Sequence, residues 1–436
     1  MLNYVGGCGP AWEMMGEMHR VCLILLIILA LPGVPLGAAE PLGFFLTWKN
    51  DPRTTMIVDW HVAPGGEAPP LQFRKLGASG WSEAKGTEGT FPFAERRLFR
   101  EELAGLEPGS TYEFRFGADG EVRTFRTIPA TLASPLKFAI GGDTRHQADW
   151  LEKMNRVAAS RDPAFVVLGG DLAYENGDPK SVNNVIEWFD AYQKTMVTRE
   201  GRAIPVIVAI GNHEVRGGFV TGEPTKALRA ADPPMSADAI RAEVAPYFYH
   251  LFASPGQPGY RVLDFGSDLS LVLLDSNHTN PIAGEQARWL DETLSARAAR
   301  PHVFPVYHVP AYPSVRPYDE HVSALVREHW VPLFEKHGVR LAFENHDHAF
   351  KRTHPIREGK VDASGIVFLG DGAWGVAPRE THADSWYLEK SAGVRHGMLV
   401  TLDGPDRIIE VFDEDGKIID SFRSGPAPKA AVPKAD

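Results

Sequence analysis

Residues 164–174 read AFVVLGGDLAY. An apolar run ends in two glycines, then the carboxylate of Asp171, then, three residues on, the phenol of Tyr174. A strand that is apolar on both faces needs cover on both faces, which is the condition of a sheet inside an α/β fold. The pattern recurs in LKFAIGGD (136–143), AIPVIVAIGNHE (203–214), LSLVLLDSN (269–277), HVFPVYHV (302–309) and VRLAFENHDH (339–348). Between these runs, ADWLEKMNRVAAS (148–160) and GEQARWLDETLSARAA (284–299) space their apolar residues as amphipathic helices do. Residues 136–424 are therefore expected to form one α/β domain.

Polar residues fall where the apolar runs stop: Asp143, Asp171 with Tyr174, Asn212 with His213, His308, and the pair His346 and His348. Sites in open α/β sheets form beyond the carboxyl ends of strands. Each block alone has a plainer reading. Gly-Asp after a strand makes a turn, a single histidine sits satisfied in a core, and Asn212 suits a helix N-cap. Five strand ends that each deliver an oxygen or an imidazole argue for one convergent site. Residues i and i+2 of an extended segment share a face, so His346 and His348 are expected to point the same way, which suits a pair of side chains that grip something.

Residues 40–130 read as all-β. MIVDWHV (56–62) places Met56, Val58, Trp60 and Val62 on one face, YEFRF (112–116) aligns Tyr112, Phe114 and Phe116, and turn residues interrupt at short intervals. LAGLEPGSTYEFRF (103–116) resembles the fibronectin type III pattern, in which a tyrosine at a strand start bonds back to the preceding corner; Tyr112 would be that tyrosine. IPATLASP (128–135) is the joint between the two regions.

The chain is 436 residues long with net charge −11, 44% hydrophobic and 23% charged residues. No basic excess is available to meet a nucleic-acid backbone. Arg20 precedes the apolar run 21–31, and small residues follow through Ala38 and Ala39. That order is a secretory signal, residues 1–39, too short to span a bilayer comfortably and with Met18 as an alternative start. A secreted or periplasmic protein without a stable membrane partner is expected. Cys8 and Cys22 lie within this segment, so a mature chain has no thiol. Any metal must then be held by His, Asp, Glu, Asn or Tyr. The tail 425–436 is rich in Pro, Ala and Lys and reads as disordered.

The ordered blocks G-D, G-D-x-x-Y, G-N-H-E, V-x-H and H-x-H resemble those of the purple acid phosphatases, a branch of the calcineurin-like metallophosphoesterases. LTWKNDPRTTMIVDW (46–60), PYFYHLF (246–252), HAFKRTHP (348–355) and GDGAWG (370–375) sit in the order expected of that family, and the resemblance covers about 41–424. It implies a four-layer sandwich of two mixed β-sheets flanked by helices, behind an N-terminal fibronectin-like domain. It also implies a binuclear centre. Asp143, Asp171, Tyr174 and His348 would bind Fe(III). Asp171, Asn212, His308 and His346 would bind Zn(II), Fe(II) or Mn(II), with Asp171 as the bridge. The residue types suit this. Phenol has a pKa of about 10 and coordinates as phenolate only beside a strong Lewis acid. Two aspartates and a phenolate set about −3 against +5, so the centre stays attractive to phosphate.

The implied activity is hydrolysis of small phosphate monoesters by a metal-bound hydroxide, with His213 protonating the leaving oxygen. A phosphodiesterase or nucleotide pyrophosphatase on the same site is the alternative. An inactive cell-surface binding protein is a further one, disfavoured by the intact ligand set. The chain departs from the family at Arg145, where a glycine is usual, and at Asn345, also a usual glycine. Arg145 could clamp phosphate or pair with a carboxylate, and Asn345 is expected to keep a left-handed turn. The family's substrate-side histidines after V-x-H have no clear match; His321 is the nearest. The insertion 215–245 is expected near the cleft, as a lid or as a disordered loop.

Overall fold

The computed structural model describes residues 41–425 apart from 66 and 133. The signal segment 1–39, Cys8, Cys22 and the tail beyond Gly425 lie outside the described residues.

The N-terminal region folds as two antiparallel four-stranded sheets. One runs Gly43–Thr47, Met56–Val62, Arg97–Leu103, Thr87–Thr90; the other Ser82–Ala84, Leu71–Lys75, Thr111–Phe116, Arg123–Arg126. Trp60, Phe44, Phe114, Phe116 and Phe125 fill the space between them. The Tyr112 hydroxyl accepts the backbone N–H of Glu107 at 2.9 Å, so this side chain does tie the strand to its preceding corner. Strand Met56–Val62 departs from simple alternation, because its second face is also buried. Asp59 and His61 are both 0% exposed. The His61 ring lies 4.9 Å from Phe189 of the helix Val182–Thr195, so the sandwich packs directly on the following region.

That region holds two mixed sheets. The six-stranded sheet is ordered Val206–Val208, Val166–Leu168, Leu136–Gly141, His396–Asp403, Asp406–Asp413, Ile418–Ser424. Its first three strands are parallel. The seven-stranded sheet is ordered Arg261–Phe265, Leu269–Leu273, His302–Val306, Leu341–Glu344, Val367–Gly370, Phe350–Thr353, Leu388–Ala392. Phe138, Phe165, Ile207 and Val400 of one sheet meet Phe304, Val306, Leu341 and Leu369 of the other in one apolar core. Helices Ala148–Ala159 and Val182–Thr195 cover the outer face of the six-stranded sheet. Helices Glu285–Ser295, His321–His329 and Val331–Lys336 cover the seven-stranded one. Sheets covered on both faces explain the unbroken apolar strands. Leu151, Met154 and Ala158 mark the buried stripe of the first helix, and each large side chain there contributes about 1.5–3 kcal/mol by leaving water.

Pro305 sits inside the central strand His302–Val306, where a missing N–H should break the ladder. Register with Leu341–Glu344 accordingly begins only at Val306, opposite Phe343. The insertion is not a disordered loop. It forms helices Glu223–Arg229 and Ala237–Val244, and the Arg216 N–H to Val244 carbonyl bond of 2.7 Å closes its base.

Candidate metal centre

Asp143, Asp171 and Asn212 follow the carboxyl ends of the three parallel strands of the six-stranded sheet; His308, His346 and His348 follow adjacent strands of the seven-stranded sheet. The two sheets thus bring their ligand-type residues to one edge of the sandwich. Asp143 (φ 56°), Asp171 (φ 53°), Tyr174 (φ 58°), His346 (φ 82°) and His348 (φ 60°) all adopt left-handed backbone. This conformation costs non-glycine residues about 1 kcal/mol or more, so surrounding contacts must hold it. It also corrects the extended-strand reading of His346 and His348. The strand ends at Glu344, before either histidine, and the two imidazoles still reach different partners, His348 toward Tyr174 and Asp143 and His346 toward His308.

His348 Nε2 lies 3.0 Å from the Tyr174 hydroxyl and 3.2 Å from Asp143 Oδ1, and Tyr174 lies 3.3 Å from the same carboxylate oxygen. His308 Nε2 lies 3.1 Å from Asp171 Oδ2, 3.2 Å from Asn212 Oδ1 and 3.1 Å from His346 Nδ1. Asp143, Asp171 and His348 form one cluster with donor atoms within 4.8 Å of one another; Asp171, His308 and His346 form a second. Asp171 belongs to both. Its Oδ2 is buried without a hydrogen-bond partner among the described residues.

Two atoms bound at right angles about 2.1 Å from one ion lie about 3 Å apart, which is the spacing seen here. Burial and the neighbouring Asp143 push the Tyr174 hydroxyl well above its ordinary range, so the protein alone keeps it a phenol. Burial opposes charge on His308, yet Asp171 and Asp143 raise it to about 9. The His308 shift reports negative charge from the neighbouring carboxylates, and the oxygen-and-imidazole donor set fits a pair of hard or borderline cations.

Neighbours fix the donors. His308 Nδ1 lies 2.9 Å from the Gly169 carbonyl, which places its proton there and leaves Nε2 free to ligate. Glu214 accepts the backbone N–H groups of Asp171, Leu172 and Gly211 at 2.8, 2.7 and 2.6 Å. Behind the histidine loop, fully buried Lys351 pairs with Glu344 at 2.6 Å and Asp371 at 3.0 Å. The His213 backbone N–H donates to Asp171 Oδ1 at 2.8 Å, its Nδ1 lies 2.6 Å from Asn176 Oδ1, and its ring lies 4.4 Å from that of Tyr174.

The departures resolve individually. Arg145 is nearly buried and pairs with Glu187, so it is not free for phosphate. Asn345 is not left-handed; its neighbours His346 and His348 are. Its amide donates to the Tyr307 carbonyl at 3.0 Å and fills the space left by two glycines. A Cβ on Gly142 would meet Asn345 Oδ1 at 2.4 Å, and one on Gly169 would meet its Nδ2 at 1.9 Å. His321 is exposed at the start of its helix.

Two histidines near the centre escape the strand-end reading. His278 is buried 5.5 Å from the His308 ring, stacks on Phe219 of the insertion at 5.3 Å, and has Nδ1 3.1 Å from the Gly218 carbonyl. Its signal was present, since it follows the run LSLVLLDSN. His146 lies 4.8 Å from Tyr174 and 5.4 Å from His348, ring to ring. It stands three residues after Asp143 as Tyr174 stands three after Asp171.

Residues 41–127 match the family model described as purple acid phosphatase, N-terminal domain, and residues 136–350 match calcineurin-like phosphoesterase. An uncharacterised protein of Mycobacterium tuberculosis is 24% identical over 364 residues, covering 74% of this chain; the chain spans 64% of that relative's length. Purple acid phosphatase 18 of Arabidopsis thaliana is 24% identical over 364 residues, 81% of this chain and 74% of the relative. The purple acid phosphatase PPD1 from yellow lupin (Lupinus luteus) seeds shares the fold with a TM-score of 0.70 at 16% identity, over 89% of this chain and 75% of that one. With both family models matched in order, and the donor clusters lying at the strand ends of the second, the chain belongs to the purple acid phosphatase family.

Proposed function

We propose that the protein is a secreted or periplasmic phosphatase that hydrolyses small phosphate monoesters at a binuclear centre. The observation that carries this reading is the pair of donor clusters sharing Asp171. Asp143, Asp171, Tyr174 and His348 would hold Fe(III); Asp171, Asn212, His308 and His346 would hold Zn(II), Fe(II) or Mn(II). When bound, such a pair of ions supplies activated water at mildly acid pH and charge to receive a phosphate.

The chain's own residues supply position and protons. Asn212 is a neutral donor that keeps the negative charge of the set low. His213 has Nδ1 engaged by Asn176, which leaves Nε2 free to give a proton to the leaving oxygen once it is charged. Burial, against the opposing pull of Asp171, holds this imidazole below its ordinary range. A role in mildly acid solution follows.

The test is metal analysis and a phosphate-release screen across pH on the protein lacking residues 1–39. Two metals per chain with release from an aryl monoester supports the reading. Activity confined to a bis-substituted phosphate reassigns it as a diesterase, and a metal-free inactive protein overturns it.

A further inference from the structure

The insertion 215–245 begins just after Asn212, whose Oδ1 faces His308 Nε2 at 3.2 Å. Its first turn, Gly217 (φ 83°) and Gly218 (φ 76°), uses left-handed backbone that glycine adopts without strain. Gly218 lies against Asn212, because a Cβ on it would stand 3.7 Å from Asn212 Cβ. The same turn docks on the loop after strand Leu269–Leu273. The Gly218 carbonyl meets His278 Nδ1 at 3.1 Å, the Val220 N–H donates to the Asn277 carbonyl at 2.9 Å, and the Phe219 ring stacks on that of His278.

A carbonyl only accepts, so the proton of neutral His278 resides on Nδ1, and Nε2 is left to accept the Ser276 hydroxyl at 3.0 Å. Ser276 Oγ in turn accepts the backbone N–H of Val309 at 2.9 Å, and Val309 directly follows His308. Ser276, His278 and Val309 are all buried, out of reach of competing water. A continuous path of hydrogen bonds therefore runs from the insertion to the backbone beside His308. The other donors are held differently. Asp143 accepts the His346 backbone N–H at 2.9 Å, and Tyr174 and His348 engage each other. Among the described residues, no hydrogen bond joins the insertion to Asp143, Tyr174 or His348.

We propose that the insertion buttresses one half of the centre through His278, a positioning residue for His308. Retention of the ion assigned to Asn212 and His308 then depends on the insertion, and retention of the ion assigned to Asp143, Tyr174 and His348 does not. This rests on the binuclear reading above. Losing an outer partner that orients a ligand weakens metal binding by about 10–100-fold. The path here reaches His308 through its backbone, so the lower end of that range, about tenfold, is expected.

The experiment measures metal content and visible absorption after dialysis against graded EDTA, for metal-loaded wild type, His278→Phe, His278→Asn and Phe219→Ala. A phenyl ring at 278 keeps the stack on Phe219 and removes both polar contacts, whereas the Asn amide keeps a donor toward Gly218. In His278→Phe one ion per chain should leave at about tenfold lower chelator, while the other ion and the Tyr174 phenolate absorption are held. His278→Asn should recover part of the loss. Loss of both ions together, or of neither, overturns the buttress. Phe219→Ala alters the insertion alone and should show the same one-ion loss; wild-type retention there overturns the insertion's part. Amide hydrogen exchange reads the path without any metal. His278→Phe should speed exchange at Val309 and leave residues 141–145 unchanged. Faster exchange in a protein whose wild type holds no metal removes only the binuclear reading. Unchanged exchange removes the buttress.

Discussion

Glu214 Oε2 accepts the backbone N–H of Asp171 at 2.8 Å, so a buried carboxylate that reaches no metal sets the backbone of the residue shared by both donor clusters. The same side chain holds Leu172 and Gly211, and Gly211 directly precedes Asn212. Glu214→Gln turns one acceptor into a donor that faces N–H groups. A destabilisation of about 1–3 kcal/mol is expected, with fewer than two metals retained per chain. Denaturant unfolding and metal analysis check both, and full metal content at wild-type stability would remove Glu214 from this role.

Tyr174→Phe removes the one donor that gives a phenolate colour with Fe(III). Its visible absorption should vanish while the fold, read by far-ultraviolet circular dichroism, stays intact. A coloured variant would place the chromophore elsewhere. A colourless, zinc-only wild type would refute the ferric assignment.

His61 and Asp59 sit fully buried in one strand with opposed titrations. Burial lowers the His61 imidazole from 6.5 to about 3, and burial raises the Asp59 carboxyl from 3.8 to about 7. Between these limits the folded state keeps a proton on Asp59 that the unfolded state releases, so this group favours folding less as pH rises. His61 does the reverse, because the unfolded imidazole takes up a proton that the folded one refuses. The two slopes nearly cancel from about pH 4 to 6.5. His61→Phe should unmask Asp59, and stability should then climb as pH falls through this window by up to about 1.4 kcal/mol per pH unit. Asp59→Asn should give the opposite slope. Thermal denaturation at several pH values decides, and parallel profiles for all three proteins would refute the compensation.

Gly169→Ala drives a methyl into the Asn345 amide, whose Nδ2 would lie 1.9 Å from the new Cβ. A loss of about 1–3 kcal/mol is expected. Asn345→Gly loses the bond to the Tyr307 carbonyl but opens the same space. The double variant should recover at least about 1 kcal/mol relative to the sum of the single changes, because the two positions share one contact. Strict additivity in unfolding free energies would show that they do not.

Much of this was legible from the chain. Unbroken apolar strands ending in Asp or His predicted both covered sheets and the edge where they converge, and Tyr112 predicted its own corner bond. The direction of individual side chains was not legible. His346 and His348 looked like neighbours on one strand face, but left-handed backbone just after Glu344 parts them, and period-two reasoning stops where a strand stops. Arg145 offered two partners, and Glu187, 42 residues away, settles which one it takes. His146 was missed because its spacing from Asp143 gains meaning only beside that of Tyr174 from Asp171. Asp59 and His61 were hidden because alternation reports one apolar face and says nothing of a helix that later covers the other.

Asp143, Asp171 and Asn212 issue from one sheet, and His308, His346 and His348 from the other. Neither sheet carries a complete donor set, so under the proposed binuclear reading tight ion uptake would wait until the two sheets have packed together. Cofactor acquisition would then double as a checkpoint on maturation: a chain whose two sheets have not come together would fail to load and stay distinguishable from a finished one.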